Sequence, residues 1–236
     1  TFHEVFHNYF PFFIGINERK YAFMDEGWAR YLPMGFLEKY ASEDNYFQRT
    51  IAQYESFAGS ENELPPMIPT YIFNDYQTQR MAAYTRPAVA YHLLHQTLGD
   101  KIFKKALKEY IQRWGGKHPM PYDFFNTFND VAGEDLSWFW EPWFFERGYP
   151  DLTIIDLTND NMLIIEKKGL LPVPIELEIV YQDGTKDQIS KDARLWAKGF
   201  KVLEFPLVRD KAVKSIILGK DLIPDSNRTD NTWVAE

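Results

Sequence analysis

Hydrophobic residues in the first 150 positions recur with the period of an α-helix. Leu136, Phe139, Trp140, Trp143 and Phe144 fall at i, i+3, i+4, i+7 and i+8, which is one stripe along a helix. Pro142 lies inside this stripe and is expected to kink or restart the helix. The period and its breakers predict helices over residues 1–10, around residue 26, and over 35–40, 47–56, 88–98, 101–114 and 121–131.

From Leu152 onward the hydrophobic period changes from that of a helix to that of a strand. Six short segments of this kind lie at 152–157, 162–167, 173–181, 186–190, 201–207 and 213–218. The pair Asp183-Gly184 is a hairpin turn signal between the third and fourth of them. Six strands in so short a stretch predict a small all-β sandwich domain over 151–236. The chain is therefore predicted to be α+β, with a helical domain over 1–150 followed by this sandwich.

Composition limits the classes of partner. The chain has 236 residues and a formal net charge of −8, which argues against nucleic acid as a partner. No apolar run approaches the length of a membrane span. Cysteine is absent, so disulfides play no part. Aromatic residues make up 17% of the chain, which indicates a core of large side chains or a surface that packs against another segment.

The chemistry is concentrated in the segment His3-Glu4-Val5-Phe6-His7. On a helix, residues four apart lie on the same face, so His3 and His7 are able to present imidazole nitrogens to one ion. Glu4 lies beside His3, where its carboxylate reaches a water on that ion without ligating it. A site of two histidines and one carboxylate with an open fourth position is typical of catalytic Zn²⁺. The bland alternative is an amphipathic helix with two structural histidines.

A third ligand makes the metal site the better interpretation. Eighteen residues, Asn8 to Asp25, separate His7 from Glu26, which is the candidate ligand. A metzincin needs glycine and histidine three and six residues after the second histidine, and this chain has Phe10 and Phe13 there, which excludes that class. The sequence thus predicts a zinc site formed by His3, His7 and Glu26, with Glu4 as the general base.

The run from His3 to Pro11, followed by Met24-Asp25-Glu26-Gly27-Trp28-Ala29, resembles the aminopeptidase N type of zinc metallopeptidase, family M1 of the gluzincin clan. The resemblance lies in the spacing of the three ligands and in the glycine and aromatic residue after the glutamate. Tyr9 stands where the family usually has tryptophan, and Asp25 where many members have asparagine. Asp25 is a candidate for orienting a ligand, although an acidic residue at a helix start needs no such role.

The resemblance implies several further features. It places the tyrosine that stabilises the transition state at Tyr84, followed by Arg86 where the family has lysine, with Tyr71 and Tyr76 as runners-up. It implies a thermolysin-like catalytic lobe over 1–150 and, upstream, a β-rich lobe that carries the amine-binding glutamate and is expected as a partner. A bacterial cell-envelope location is suggested by the resemblance alone.

The leading hypothesis is a zinc-dependent peptidase, specifically an aminopeptidase acting on peptide substrates. The alternative is a non-catalytic zinc-binding fragment that needs the upstream lobe for activity, and a related glycyl aminopeptidase ranks third. His92 and His95, three apart on an apolar helix, are interpreted as core or surface histidines, and His118 as solvated. The loop over 61–69 is interpreted as a connector.

Overall fold

The computed structural model describes residues 2–41, 45–208 and 211–235. Nine α-helices occur in the described part of residues 2–145, and they are α1 Phe2–Phe6, α2 Glu18–Tyr21, α3 Glu26–Tyr31, α4 Met34–Tyr40, α5 Tyr46–Glu55, α6 Tyr76–Arg80, α7 Arg86–Trp114, α8 Pro121–Ala132 and α9 Ser137–Trp140. Short 3-10 turns occupy Ala22–Met24 and Thr70–Ile72, and π-helical turns occupy Asn8–Phe13, Met81–Thr85 and Glu141–Phe145.

The first helix is shorter than the sequence predicts. Thr1 lies outside the described residues, and α1 ends at Phe6 instead of Phe10. A π-helical turn follows and contains Pro11, while Phe10 has extended backbone angles, φ −130° and ψ 108°. This conformation turns the Phe10 carbonyl oxygen to within 2.9 Å of His7 Nδ1, so a local hydrogen bond ends the helix before the proline does.

The glycine signal at position 99 is confirmed. The helical span α7 is interrupted at Gly99, whose φ of 73° and ψ of 157° lie outside the helical region. Residues with a Cβ rarely adopt such angles, which is why a glycine stands there. The helical stripe at 136–144 is confirmed as well, and it is divided into α9 and the π-helical turn around Pro142.

An aromatic core joins the helices. Trp28 on α3 stacks on Tyr91 of α7 with ring centroids 3.9 Å apart and planes inclined by 8°. Trp28 also meets Phe124 of α8 edge-on at 5.6 Å. Stacked and edge-on pairs of this kind contribute beyond the area they bury. Helix α3, which carries Glu26, is therefore fixed against both α7 and α8.

The buried Arg86 joins the 61–69 segment to the turn at residues 142–146. The Arg86 guanidinium donates to Glu63 Oε1 at 3.0 Å and to the carbonyl oxygens of Pro142, Trp143 and Glu146 at 2.8–3.0 Å. Arg86 is 1% and Glu63 4% exposed. Glu63 also accepts one hydrogen bond from the Tyr54 hydroxyl and one from the Gly59 N–H. The segment 61–69 is thus a connector, as the sequence indicated, and its one buried carboxylate holds Arg86.

The β part consists of two antiparallel sheets. Its strands are β1 Leu152–Leu157, β2 Met162–Lys167, β3 Ile175–Tyr181, β4 Lys186–Lys191, β5 Val202–Pro206, β6 Val213–Leu218 and β7 Thr232–Val234. The first sheet has the order β1-β2-β5 and the second β4-β3-β6-β7. Inward residues alternate along β3, where Ile175, Leu177, Ile179 and Tyr181 are buried. The hairpin at Asp183-Gly184 is confirmed, with Gly184 at φ 82°.

One hydrophobic cluster extends through both parts. It includes Trp28 and Tyr91 from the helices and Leu163 and Ile179 from the two sheets. The structure is therefore α+β, as predicted, while the division into two domains at residue 150 and the thermolysin-like arrangement remain predictions. Within the described ranges, no helix is long and apolar enough to cross a membrane.

Candidate metal centre

Three side chains from two helices converge at one point. His3 Nε2 lies 3.1 Å from His7 Nε2 and 3.0 Å from Glu26 Oε2, and His7 Nε2 lies 3.6 Å from Glu26 Oε2. His3 lies on α1, and His7 follows that helix directly with helical backbone angles, so the two histidines are one turn apart. Helix α3 supplies the glutamate from its first residue. Within the described residues, this is the one group of three or more histidine or acidic side chains close enough to share a metal ion.

The spacing of these atoms fits a zinc ion. Donor atoms at the usual Zn²⁺ distances, in tetrahedral geometry, are about 3.3 Å apart. The three separations, 3.0, 3.1 and 3.6 Å, fall around this value. Glu26 Oε2 is buried and accepts no well-aligned hydrogen bond from the described residues, despite its approach to His3. A buried carboxylate oxygen without such a partner needs an explanation, and a cation between the three donors provides one.

The orientation of His7 leaves its other nitrogen free for a metal. His7 Nδ1 lies 2.9 Å from the Phe10 carbonyl oxygen and 2.7 Å from Asp25 Oδ1, and both are acceptors. These partners assign the proton of a neutral imidazole to Nδ1. The lone pair of Nε2 then points toward His3 and Glu26. Without a cation, the 3.1 Å approach of the two Nε2 atoms requires a proton on His3 Nε2, whereas a metal ion between them would let both nitrogens act as ligands.

Asp25 contacts His7, as expected of a residue that orients a ligand. It is 2% exposed and immediately precedes α3, so that its carboxylate reaches His7. Burial raises the pKa of Asp25 to about 7, with the Glu26 charge acting in the same direction and His7 opposing both. A carboxylate hydrogen-bonded to the far nitrogen of a histidine is the arrangement that fixes the ring of a metal ligand.

The glycine after Glu26 is explained by close packing. A Cβ on Gly27 would lie 2.9 Å from Pro87 Cβ and 2.9 Å from Tyr91 Cε2, both on α7. Helix α3 therefore approaches α7 at a distance that only glycine permits. This packing sets the position of Glu26 relative to the helix that follows Tyr84.

Tyr84 lies on the edge of the cluster. It belongs to the π-helical turn Met81–Thr85 and donates a hydrogen bond to Glu26 Oε1 at 2.7 Å. Its ring stacks on His3, with centroids 6.1 Å apart. Burial, followed by the Glu26 carboxylate, raises the pKa of Tyr84 far above its usual value, so the phenol stays a hydrogen-bond donor. The runners-up, Tyr71 and Tyr76, are 65% and 74% exposed.

The other candidate carboxylate and histidines are not among the three converging donors. Glu4 is exposed on α1 beside His3 and makes no ion pair within the described part of the chain. Burial lowers the pKa of His92 to about 4, as expected for a neutral core histidine. His95 contacts the Tyr31 hydroxyl and Asp100, and His118 Nδ1 lies 2.9 Å from the Gly15 carbonyl oxygen.

Two cavities adjoin the cluster, and Tyr84 lines both of them. The larger has a volume of about 430 Å³ and is lined by Glu18, Arg19, Ala22, Glu26, Thr70, Tyr71, Gln79 and Tyr84. The smaller has a volume of about 210 Å³ and is lined by His3, Arg30, Tyr46, Tyr76, Arg80 and Tyr84. The sequence analysis did not single out the two arginines, although Arg30 stands four residues after Glu26 and Arg80 four residues before Tyr84, a spacing that signals a shared helix face.

Comparison with known proteins agrees with this geometry. The family model described as the Peptidase family M1 domain matches residues 1–143, which is more than half of the chain. This chain belongs to peptidase family M1. The match contains α1, α3 and the turn that carries Tyr84. The described strands, which begin at Leu152, lie beyond it.

Similar M1 proteins are considerably longer than this chain. Aminopeptidase N of Lactococcus lactis subsp. lactis is 27% identical over 85 residues, 36% of this chain and 10% of that protein. Aminopeptidase M1-C of Oryza sativa subsp. japonica is 22% identical over 202 residues, 80% of this chain and 23% of that protein. The crystal structure of Legionella pneumophila aminopeptidase A in complex with aspartic acid has a similar fold, with a TM-score of 0.58 at 18% identity over 86% of this chain and 23% of that one.

Proposed function

We propose that this chain carries the zinc centre of a metallopeptidase and that the enzyme is an aminopeptidase. The observation that carries the proposal is the convergence of His3 Nε2, His7 Nε2 and Glu26 Oε2 to within 4.8 Å of one another. Membership of family M1 and the names of the relatives support the peptidase class and the amino-terminal preference.

The proposed roles follow from the residues around the donors. Zn²⁺ bound by His3, His7 and Glu26 would acidify a water and polarise the carbonyl of the peptide bond. Glu4 takes the proton from the attacking water and gives it to the leaving amine, because it is an exposed carboxylate beside the ligands with no competing ion pair among the described residues. Asp25 holds the His7 ring through Nδ1.

Tyr84 is proposed to stabilise the developing oxyanion. Its hydroxyl is a donor that stays protonated, and it already faces a negatively charged oxygen, Glu26 Oε1, at 2.7 Å. A fixed donor aimed at the position where negative charge develops lowers the barrier more than it stabilises the substrate. Among the three candidate tyrosines, Tyr84 is the one whose hydroxyl contacts a proposed ligand.

Replacing the proposed base separates metal binding from turnover. Glu4→Gln should keep about one zinc per chain, measured by elemental analysis, and should lower kcat on aminoacyl-anilides by about 10²–10⁴-fold. Glu61→Gln, another exposed glutamate, is the matched control and should leave both quantities unchanged. Full activity of the Glu4 variant would overturn the assignment.

A second proposal is favoured by the exposed aromatic surface beside α1. Phe12 is 77%, Phe13 50% and Val5 53% exposed, which is unusual for large apolar side chains. Under this proposal the chain binds zinc but needs the upstream lobe for activity. Zinc without hydrolysis by this chain, with activity restored by the upstream lobe, would support it, whereas hydrolysis by the chain alone would exclude it.

A further inference from the structure

The smaller cavity beside the metal centre is built for a group of limited size. It shares His3 and Tyr84 with the centre, and its volume is about 210 Å³. Sites that enclose a drug-sized ligand measure about 300–1,000 Å³. A cavity below that range takes one side chain or one chain end of a substrate whose reacting bond lies at the centre.

Each arginine of this cavity lies four residues from a proposed site residue. Arg30 lies on α3, one turn after Glu26 and therefore on the same face. Arg80 ends α6, four residues before Tyr84 on the π-helical turn. The backbone that positions the proposed ligand and the proposed oxyanion donor thus also positions the two guanidinium groups.

The positive charge in this cavity is not neutralised by the described residues. Arg30 donates to two neutral acceptors, Thr50 Oγ1 at 3.3 Å and Gln53 Oε1 at 2.8 Å, and its Nε is buried without a partner in the described ranges. Within the same part of the chain, Arg80 makes no hydrogen bond or ion pair. Arg30 and Arg80 line the same small cavity, so their two positive charges are close together. Burial lowers the pKa of Arg30, Tyr46 opposes this shift and the charge of Arg80 adds to it.

Four of the other arginines in the described part of the chain have acidic partners. A carboxylate lies within 3.0 Å of each of Arg86, Arg113, Arg194 and Arg228. The chain as a whole carries a formal net charge of −8. Two unpaired arginines in one small cavity are therefore a local excess of positive charge that a bound anion would relieve.

We propose that the cavity lined by Arg30 and Arg80 binds a carboxylate of the substrate. The inference rests on the proposed peptidase function. The guanidinium fork matches the two oxygens of a carboxylate, and the Tyr46 and Tyr76 phenols that line the cavity offer further donors. Two sources of the carboxylate are chemically equivalent here, an acidic side chain and the free carboxyl end of a short peptide.

Two matched substrate pairs test the proposal on the zinc-loaded protein at its full natural length. The first pair is glutamyl-anilide and glutaminyl-anilide, and the second is alanyl-alanine and its amide. We expect kcat/KM to favour the carboxylate member of one pair by about 10- to 100-fold. Which pair shows the preference identifies the source of the carboxylate.

Arginine variants then assign the preference. Arg80→Gln, at an exposed position, should lower kcat/KM for the carboxylate substrate and bring the ratio close to one, and Arg30→Gln should lower the ratio as well. Arg147→Gln, an exposed arginine outside the cavity, is the control and should keep the full ratio. An active enzyme without preference in either pair, or a preference that survives both variants, would overturn the proposal.

Binding without turnover separates this proposal from the peptidase assignment. Glutarate is titrated calorimetrically into the wild-type protein and Arg80→Gln, with glutaramide as the neutral probe. About tenfold weaker binding of glutarate to the variant supports the subsite even if no substrate is hydrolysed, which would tell against the proposed function alone. Equal binding to both proteins counts against the subsite.

Discussion

The buried pair of Arg86 and Glu63 offers a demanding test of the structure. Arg86→Met removes the guanidinium but keeps an unbranched side chain of similar length. The change deprives three carbonyl oxygens and one carboxylate of their donor. It also leaves the Glu63 charge, 4% exposed, without a cation.

The expected loss is large because both partners are out of water. Breaking a buried ion pair from one side costs about 3–5 kcal/mol, since the remaining charge stays desolvated. A protein domain is stable by about 5–15 kcal/mol, so the substitution consumes a considerable part of the free energy of unfolding. With a urea m-value of about 3 kcal/mol/M, the midpoint should fall by about 1–1.7 M.

The measurement is urea unfolding followed by tryptophan fluorescence, with a double variant to isolate the pair. Glu63→Gln keeps the acceptor for Tyr54 while removing the charge. In the Arg86→Met background it should therefore restore about 1–2 kcal/mol, whereas in the wild type it should destabilise. Arg113→Met breaks an exposed pair with Glu109 and should cost at most about 1 kcal/mol.

Two results would refute this reasoning. If Arg86→Met shifted the midpoint no more than Arg113→Met does, the guanidinium would not be carrying the buried contacts described here. If Glu63→Gln were equally destabilising in both backgrounds, the two side chains would be energetically independent.

Three further tests probe a ligand's orientation, the packing of α3 on α7, and a buried aspartate just before β1. Asp25→Asn should weaken zinc binding about 10- to 100-fold in a chelator competition, because His7 loses a charged acceptor. Gly27→Ala should lower the unfolding free energy by about 1–3 kcal/mol because of its 2.9 Å clashes, whereas Gly35→Ala, with nothing within 4 Å, should raise it by about 0.5–1 kcal/mol. Burial raises the pKa of Asp151 to about 6, above that of an unfolded aspartate, so the free energy of unfolding should decrease as pH rises from about 4 through 6. Asp151→Asn should therefore reduce the difference between the urea midpoints measured at pH 5 and pH 8.

Each of these expectations has a clear contrary result. Unchanged zinc affinity in Asp25→Asn would mean that His7 is oriented by the Phe10 carbonyl alone. Equal stability of the two alanine variants would contradict the close approach of α3 and α7. For Asp151, a stability that increases between pH 4 and pH 6 as strongly in the wild type as in the variant would show that this carboxylate is not desolvated.

The features that depend only on the spacing of nearby residues could be predicted from the sequence. Two histidines four apart on a helix face one way wherever that helix packs, so the pairing of His3 and His7 was accessible from the sequence. The break at Gly99 and the alternation along β3 were accessible for the same reason. The strand β7 was missed because its three residues carry no periodic signal and are held by pairing with β6.

Contacts between distant segments were beyond the sequence. Arg86 stood beside Tyr84 as the counterpart of a family lysine, yet its guanidinium is buried against Glu63 and against carbonyl oxygens 56 to 60 residues later in the chain. The end of α1 at Phe6 depends on a carbonyl that turns toward His7, which no propensity encodes. Asp25 could be named as a candidate, but its partner became apparent only in the fold.

The segment between His7 and Glu26 has a consequence for how such a chain tolerates insertion. For a free loop, doubling the length costs only about 0.6 kcal/mol of closure entropy, so an interval of eighteen residues would be readily altered. Here Phe10, Ile14, Phe23 and Met24 are each at most 1% exposed and belong to the aromatic core. Core packing therefore sets the spacing between His7 and Glu26. One added residue would displace the buried side chains before it displaced a ligand.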